Sequence, residues 1–467
     1  MTSLHLPSLQ ADSHPVIELA RLRPPTSHLT RLPEELFDHV IGHLSGDKTT
    51  LKICSLVCRS WVHFASQHLF ARVLWPPCYH LWPSFAEPSG KEPDTCKCNT
   101  LNGDFEYLAE LLPTLPRMST AVVELQLRSA RKTDHPVYIW QNQDLSPQTL
   151  FAIWDSLPRL RSLHFVNCMY PHNYAFPSRY LPRSIEIVRF QVSWESVSQG
   201  SHALQLLRCF DHISELLIEG ISCEVIADEG PSPPRTSNLA RVDHLEYNNS
   251  SSPPPLRRRR RNRISDVPWL PHLAIIQSQI DLSSIRAIRT QVHSNPLIQG
   301  LVRGASNLSS LTYNISPEAV SFSASARMVS VAARYHVPFN KGLVSYDRDW
   351  AWPSLVRDFQ TILLRDFKIV QLIVVLHEVY DSPELIPPPE HQSLGSLVQF
   401  FQNKNWTWMS GFVGRSLERF SIDIQDSCHY FKEYRDLVAG AVFSAIEPQL
   451  SGQEKDLLNV TLTDICL

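Results

Sequence analysis

Two short patterns contain residue types that bind metal ions. His39 and His43 lie four residues apart in a predicted helix, which is the spacing of the His-Glu-x-x-His pattern of zinc proteases. Val40 stands where that chemistry needs its glutamate base, so we interpret both histidines as surface residues. Cys96 and Cys98 form one Cys-x-Cys pair without a second, well-spaced pair, whereas a structural zinc site needs four ligands. We therefore expect no metal site.

The sequence also lacks the motifs that mark several common enzyme classes. It contains no glycine-rich phosphate loop, no Gly-x-Ser-x-Gly elbow and no dinucleotide fingerprint. We therefore predict no catalytic residue and no cofactor, although the absence of these motifs does not by itself exclude an enzyme.

Composition indicates a globular protein of a reducing compartment. The chain has 467 residues, of which 43% are hydrophobic and 19% charged, and its net charge is −3. This length predicts more than one structural unit, and this charge argues against direct binding to nucleic acid. The N-terminus has no signal-peptide pattern, and the longest strongly apolar run, 369–376, is too short to span a membrane. We expect a cytoplasmic or nuclear location and no membrane contact.

A block of like charge interrupts the second half of the chain. Residues 257–263 contain six arginines and follow a Ser/Pro stretch at 250–255. Such a block is typical of an exposed insertion, so we predict a disordered segment at about 250–265. A nuclear-import signal, or a patch for an acidic partner, is the alternative interpretation.

Residues 32–75 have the pattern of a small helical module. Pro33 suits the first turn of a helix, and the two glutamates after it lie near the positive end of the helix dipole. Apolar residues then recur at helical spacing, and Asp47 is placed to cap a second helix. A third helical pattern begins near Trp61.

The order Leu32-Pro33-Glu34-Glu35-Leu36, followed by Val57-Cys58-Arg59-Ser60-Trp61, resembles the F-box. The F-box docks a protein onto the Skp-type adaptor of a cullin–RING ubiquitin ligase. Two departures are a longer link between the first two helices and a phenylalanine, Phe70, where many members carry tryptophan. The resemblance implies that part of the matching set faces the adaptor and part fills the module's own core. The matching residues are Leu32, Pro33, Leu36, Ile41, Leu44, Leu51, Val57, Cys58 and Trp61.

A second pattern recurs along the remaining chain: apolar, two spacers, apolar, one spacer, apolar. Residues 160–165 (Leu-x-x-Leu-x-Phe) are its clearest copy. From Leu163 the middle residue recurs at Val188, Leu216 and Leu245, in steps of 25, 28 and 29. After the Pro/Ser/Arg-rich insertion it continues at Ile285 and then at Leu311, 26 residues further on. These steps resemble those of leucine-rich repeats, in which a short strand pairs with its neighbour and a helix returns the chain. The alternative is an ordinary α/β domain with amphipathic strands.

These patterns together predict an α/β protein. A three-helix F-box would be followed by a leucine-rich-repeat-like solenoid, a curved parallel sheet with helices on its outer face. We also expect one further strand near 372–375, where the pattern is diluted. The expected divisions are a disordered tail at 1–30, the F-box at 31–75, a connector at 76–103 and the repeat domain at 104–467.

In a leucine-rich-repeat arc, the residues beside the strand apolars point to the concave face. The resemblance therefore implies a mixed-charge surface that suits a protein or peptide target. The candidate target-binding residues are Gln126, Arg128, His164, Arg189, Glu215, Glu246 and Arg419.

The function that these resemblances imply is substrate recognition in a Skp–cullin–F-box ubiquitin ligase. The F-box would bind the Skp-type adaptor and, through it, the cullin–RING ligase, while the repeat domain holds an unknown protein substrate. The alternatives are a non-degradative interaction scaffold and a nuclear regulatory protein that uses the arginine run.

Overall fold

The computed structural model divides into two compact units, residues 1–69 and 70–467. The expected tail, the connector, Leu32, Pro33, Cys58, the 250–265 segment and the cysteines of the Cys-x-Cys pair lie outside the described residues. The structure describes residues 34–57, 59–75, 105–128, 143–171, 181–191, 202–219, 239–248, 269–290, 295–315, 328–340, 343–344, 351–363, 367–378, 390–412, 417–426, 431 and 435–464.

Three helices make up the described part of the first unit: α1 (Glu34–Gly42), α2 (Lys48–Val57) and α3 (Arg59–Leu69). Asp47 caps α2, as the sequence predicted. Its Oδ1 accepts from the backbone N–H groups of Thr49 and Thr50, both at 3.0 Å. The Thr50 hydroxyl and N–H, which both donate to this carboxylate, lower the pKa of Asp47.

A small apolar core joins these helices. It consists of buried Ile41, Leu51, Cys54 and Ala65, with partly buried Leu44, Trp61, Phe64 and Leu69 packed against them. Because so few residues are buried, this core alone supplies limited stability.

The second unit is an α/β structure whose centre is one large sheet. A separate two-stranded sheet pairs β3 (Gln143–Asp144) with β5 (Cys168–Met169). The strands of the large sheet are β1 (Arg72–Trp75), β2 (Glu124–Arg128), β4 (Ser162–Val166), β6 (Arg183–Gln191), β7 (Phe210–Glu219), β8 (Ala240–Asn248), β9 (Ile280–Asp281), β10 (Ala287–Thr290), β11 (Ser310–Asn314), β12 (Ser330–Asn340), β13 (Leu343–Val344), β14 (Ile369–Glu378), β15 (Arg419–Asp426) and β16 (Leu458–Asp464).

Helices separate several of these strands along the chain, as crossovers between parallel strands require. No helix in the described residues is both long and apolar enough to cross a membrane. The α-helices of this unit are α4 (Phe105–Leu111), α5 (Pro116–Ser119), α6 (Pro147–Asp155), α7 (Trp269–Gln279), α8 (Asn295–Gly304), α9 (Ala351–Leu363), α10 (Glu390–Gln402), α11 (Arg435–Ile446) and α12 (Gly452–Leu457).

Strand order in the large sheet follows the order of the chain. The sequence of neighbours is β1-β2-β4-β6-β7-β8-β10-β11-β12-β14-β15-β16, and all of these neighbours are parallel. Short β9 adds to β8 in parallel, and β13 pairs with β12 in the antiparallel direction.

One apolar position runs in register through all twelve of these strands, and we call it the core ladder. Its ten inner members are at most 2% exposed. Because side chains alternate along a strand, the core ladder also fixes which residues point to the opposite, polar face. The members are Val73, Leu125, Leu163, Val188, Leu216, Leu245, Ile288, Leu311, Val331, Val370, Phe420 and Leu458.

Strands β1 and β12 are among those that the sequence had not predicted. Residues 72–75, expected at the end of the F-box, form β1 and pair with β2 in the second unit. Strand β12 was also unexpected. In its copy of the apolar pattern the third apolar position is Ala333, whose small side chain makes the pattern hard to recognise. The strand expected near 372–375 is confirmed as part of β14.

The core ladder predicts where truncation will destabilise the second unit. Leu216→Ala should lower the free energy of unfolding by about 2–5 kcal/mol, because Leu216 is fully buried and its removal leaves a cavity. Leu437→Ala, on α11, is the matched control, since this leucine is 58% exposed. Urea unfolding followed by tryptophan fluorescence measures both. Equal midpoints for the two variants would contradict this account of the core.

Candidate functional site

Burial divides the predicted adaptor-binding residues into two groups. Ile41 and Leu51 are 1% and 0% exposed, and Leu44 and Trp61 pack partly buried against them. These four residues therefore stabilise the first unit. Leu36 on α1 and Val57 on α2 are 49% and 63% exposed, which leaves them available for a partner.

Three more large apolar side chains are exposed on the same two helices. Val40 follows Leu36 by one helical turn, so both lie on one face of α1. Ile53 and Leu56, at 58% and 85% exposure, share one face of α2 with Val57. Helices α1 and α2 carry five of the twelve exposed large hydrophobic side chains found among the described residues. A concentration of exposed apolar side chains is typical of surfaces that bind other molecules.

The polar face of the sheet brings most of the predicted target-binding residues together. Gln126, His164 and Arg189 are direct register partners on β2, β4 and β6. Glu246 lies in the same row two strands further on, and Arg128 lies in the next row of β2.

Hydrogen bonds to Gln126 connect His164 and Arg128. With its amide oriented so that Oε1 faces the donors, this oxygen accepts from His164 Nδ1 at 3.3 Å and from Arg128 Nε at 3.0 Å. Arg128 is only 5% exposed, and its burial lowers the pKa of the guanidinium. Burial, and then the charges of Arg189 and Arg128, lower the pKa of His164 to about 4. The imidazole is therefore neutral at pH 7 between two cationic side chains.

Further charges continue across the same face. Glu246 accepts from Asn248 Nδ2 at 2.7 Å and from Arg289 Nη1 at 3.3 Å. Burial and the neighbouring Glu246 raise the pKa of Glu219 on β7. On β12, burial and the charge of Arg289 lower the pKa of Arg334.

Arg289 and Arg334 were not predicted from the sequence. Near β10 the middle apolar residue was expected at Ile285, whereas Ile288 holds that place in the sheet, and no strand was expected at β12. Buried Thr290 stands where β10 would carry its third apolar residue, and Ala333 does so on β12. The signal that could have found both strands is the match at the first two positions, as in Ile285-x-x-Ile288.

Glu215 lies in the row that precedes this group. It pairs in register with His244 in the middle of β8, two residues before Glu246. Arg419 begins β15 next to Ile369, so the structure does not bring this one predicted residue together with the others.

Charges near the N-terminal ends of the strands are already paired with opposite charges. Their N···O distances run from 2.7 to 3.9 Å, and pairs on such accessible side chains stabilise a fold only weakly, because solvent screens the charges. The pairs are Arg72–Glu124, Arg161–Glu186, Arg241–Asp211, Arg286–Asp243 and Lys368–Glu418.

Within the described part of the chain, no group of three or more His, Cys, Asp or Glu residues could hold a metal ion. His39 and His43 are exposed, and their Nε2 atoms lie 3.3 Å apart. Burial raises the pKa of the Cys168 and Cys209 thiols, so neither forms a thiolate nucleophile at neutral pH. Comparison with known proteins found no matching protein-family model and no matching curated sequence.

The environment of His164 predicts a loss of stability in acid. The unfolded chain binds a proton on this histidine near pH 6.5, whereas the folded chain does so only near pH 4. As pH falls from 6.5 to 4, His164 should therefore lower the free energy of unfolding, and the effect should level off below pH 4. Arg189→Gln should raise the folded pKa, because it removes one of the two positive charges.

Proton NMR of the histidine ring across this pH range measures that pKa directly. His164→Gln assigns the resonance and should remove this part of the acid destabilisation. A native His164 that titrates near 6.5, unchanged by Arg189→Gln, would show that neither burial nor Arg189 controls it.

Proposed function

We propose that the chain is the substrate-recognition subunit of a Skp–cullin–F-box ubiquitin ligase. The observation that carries this proposal is the set of exposed apolar side chains on α1 and α2, within the stretch that resembles an F-box. Their helices form in a unit whose own core is small, so burial against an adaptor would add apolar contact that the unit cannot make alone.

The exposed residues fit this role better than the buried members of the F-box pattern. Leu36, Val40, Ile53, Leu56 and Val57 would lose exposed apolar surface on binding, which is favourable by about 25 cal/mol per Å². Ile41 and Leu51 are already shielded, so their part in adaptor binding is to hold α1 and α2 in place.

The second unit would act as a leucine-rich-repeat-like solenoid that holds the target. The agreement between strand order and chain order supports this interpretation, as does one apolar position that repeats through every strand of that order. The target would lie on the polar face, where Gln126, Arg128, His164, Arg189 and Glu246 are grouped.

In this role the chain performs no covalent chemistry. The adaptor and cullin bring a ubiquitin-conjugating enzyme to the complex, and the polar face retains the target beside it. Holding both raises the effective concentration of a target lysine near the activated ubiquitin, so the transfer becomes effectively intramolecular.

Adaptor capture tests the proposal. Native chain should co-purify with a Skp-type adaptor, and the double variant Leu56→Asp, Val57→Asp should bind about a hundredfold more weakly. Each side chain contributes at least about 1.5 kcal/mol when buried, and two such losses give that factor. Both residues are exposed, so the variant should keep the helical signal of the native chain.

Leu437→Asp provides the control, because it places an aspartate on a leucine of the second unit that is 58% exposed, compared with 63% for Val57 and 85% for Leu56. Capture should be unaffected by it. If the native chain fails to bind the adaptor, or binds as well with both aspartates present, the ligase proposal is wrong. Adaptor binding without ubiquitylation of any bound target in a reconstituted complex would favour the scaffold alternative.

A further inference from the structure

In two adjacent rows of the polar face, from β2 to β12, the charged side chains change sign in a regular order across the strands. We define a first basic stripe as Arg128 on β2 and Arg189 on β6, which flank β4. An acidic stripe follows, formed by Glu219 on β7 and Glu246 on β8. A second basic stripe consists of Arg289 on β10 and Arg334 on β12, which flank β11.

The three stripes are evenly spaced. Strand order places the centre of the acidic stripe two and a half strand spacings from the centre of each basic stripe. Neighbouring strands lie about 4.8 Å apart, so successive stripe centres are about 12 Å apart. The two charges of one stripe have the same sign, and the sign differs between neighbouring stripes. A ligand that matches this order must therefore cross the strands.

Polar neutral side chains lie at the centre of each basic stripe. His164, held neutral by its surroundings, lies on β4 between Arg128 and Arg189. Thr312 on β11 holds the equivalent place in the second stripe. In each basic stripe, two arginines therefore lie on either side of one strand, and that strand carries no charge in these rows. Two guanidinium groups placed in this way suit one carboxylate or phosphate group.

Several of these charges lack an opposite charge in contact. Neither Arg189 nor Glu219 forms a hydrogen bond or ion pair with another residue in the ranges that the structure describes. The Nε of Arg334 is buried and has no hydrogen-bond partner within the same ranges. This differs from the strand ends, where the charges are paired. Glu219 and Arg334 are only partly exposed, and the desolvation of a charge that no direct ion pair compensates costs free energy that a complementary ligand would recover.

We propose that the polar face binds an extended peptide segment that crosses the strands and presents acidic, basic and acidic side chains in that order. An extended chain rises about 3.3 Å per residue, so stripes about 12 Å apart correspond to charges three to four residues apart. The acidic groups contact the two basic stripes, and the basic group contacts Glu219 and Glu246. This inference rests on the proposed function, because it describes the target that the receptor would hold.

Synthetic peptides test the order of charges on the full chain. The probe is a fluorescein-labelled peptide with a glutamate pair, a lysine pair and a second glutamate pair, the pairs being separated by about one or two neutral residues so that their centres lie three to four residues apart. Its controls are a scrambled peptide of identical composition and a peptide with every charge inverted. Fluorescence anisotropy at low ionic strength should give at least tenfold tighter binding for the ordered probe, and added salt should weaken it.

Exposed arginines provide the variants, because their replacement does not disturb the core. Arg189→Gln and Arg289→Gln should each weaken binding of the ordered probe about fivefold or more, since each removes one charge from a basic stripe. Arg241→Gln is the matched control, because Arg241 is exposed on β8 outside the stripes. Circular dichroism verifies folding in each case.

Equal binding of the ordered and scrambled peptides would overturn the inference, as would a loss with Arg241→Gln as large as with Arg189→Gln. Absence of saturable binding by the ordered probe would overturn it as well. A phosphoserine pair in place of each glutamate pair distinguishes phosphate from carboxylate as the preferred acidic group. The adaptor-capture experiment does not depend on these outcomes. A failure of the proposed charge order in the peptide can therefore be distinguished from a failure of the proposed ligase role.

Discussion

Register in the parallel sheet is the constraint on which the rest of the second unit depends. Each strand must place one apolar residue in the core ladder, and a slip by one residue would turn its buried side chains to the polar face. The same alignment sets the rows of polar residues on the opposite side. Gln126, His164 and Arg189 are neighbours because Leu125, Leu163 and Val188 are aligned in the core.

The sequence predicted the α/β character and the face on which polar residues would group, since both follow from a strong apolar pattern. It predicted the cap of α2 from one aspartate, because the acceptor lies next to the N–H groups that it satisfies. Arg289 was not predicted because Thr290 interrupts the apolar pattern of β10, whose middle residue was expected at Ile285. Arg334 was not predicted because Ala333 interrupts the pattern of β12. The proximity of both arginines to Glu246 depends on the pairing of β8, β10, β11 and β12, which no local pattern contains.

The F-box pattern illustrates a different limit. Helical spacing located the apolar positions of α1 and α2, but it could not separate positions that hold the helices together from positions that face outward. Burial makes that separation: Leu51 lies in the core, whereas Leu56 is 85% exposed. The surface proposed for the adaptor is therefore apolar, and the surface proposed for the target is charged. These chemistries differ enough that one partner need not compete with the other.

Hydrogen–deuterium exchange of the full chain, with and without a saturating Skp-type adaptor, tests the central claim most directly. The account predicts slower exchange in α1 and α2, where the exposed apolar residues would be covered, and unchanged exchange in β2, β4 and β6. Unchanged exchange throughout 34–57 under conditions of verified saturation would contradict the account. Protection confined to the strands of the polar face would contradict it too, since the adaptor would then occupy the surface assigned to the target.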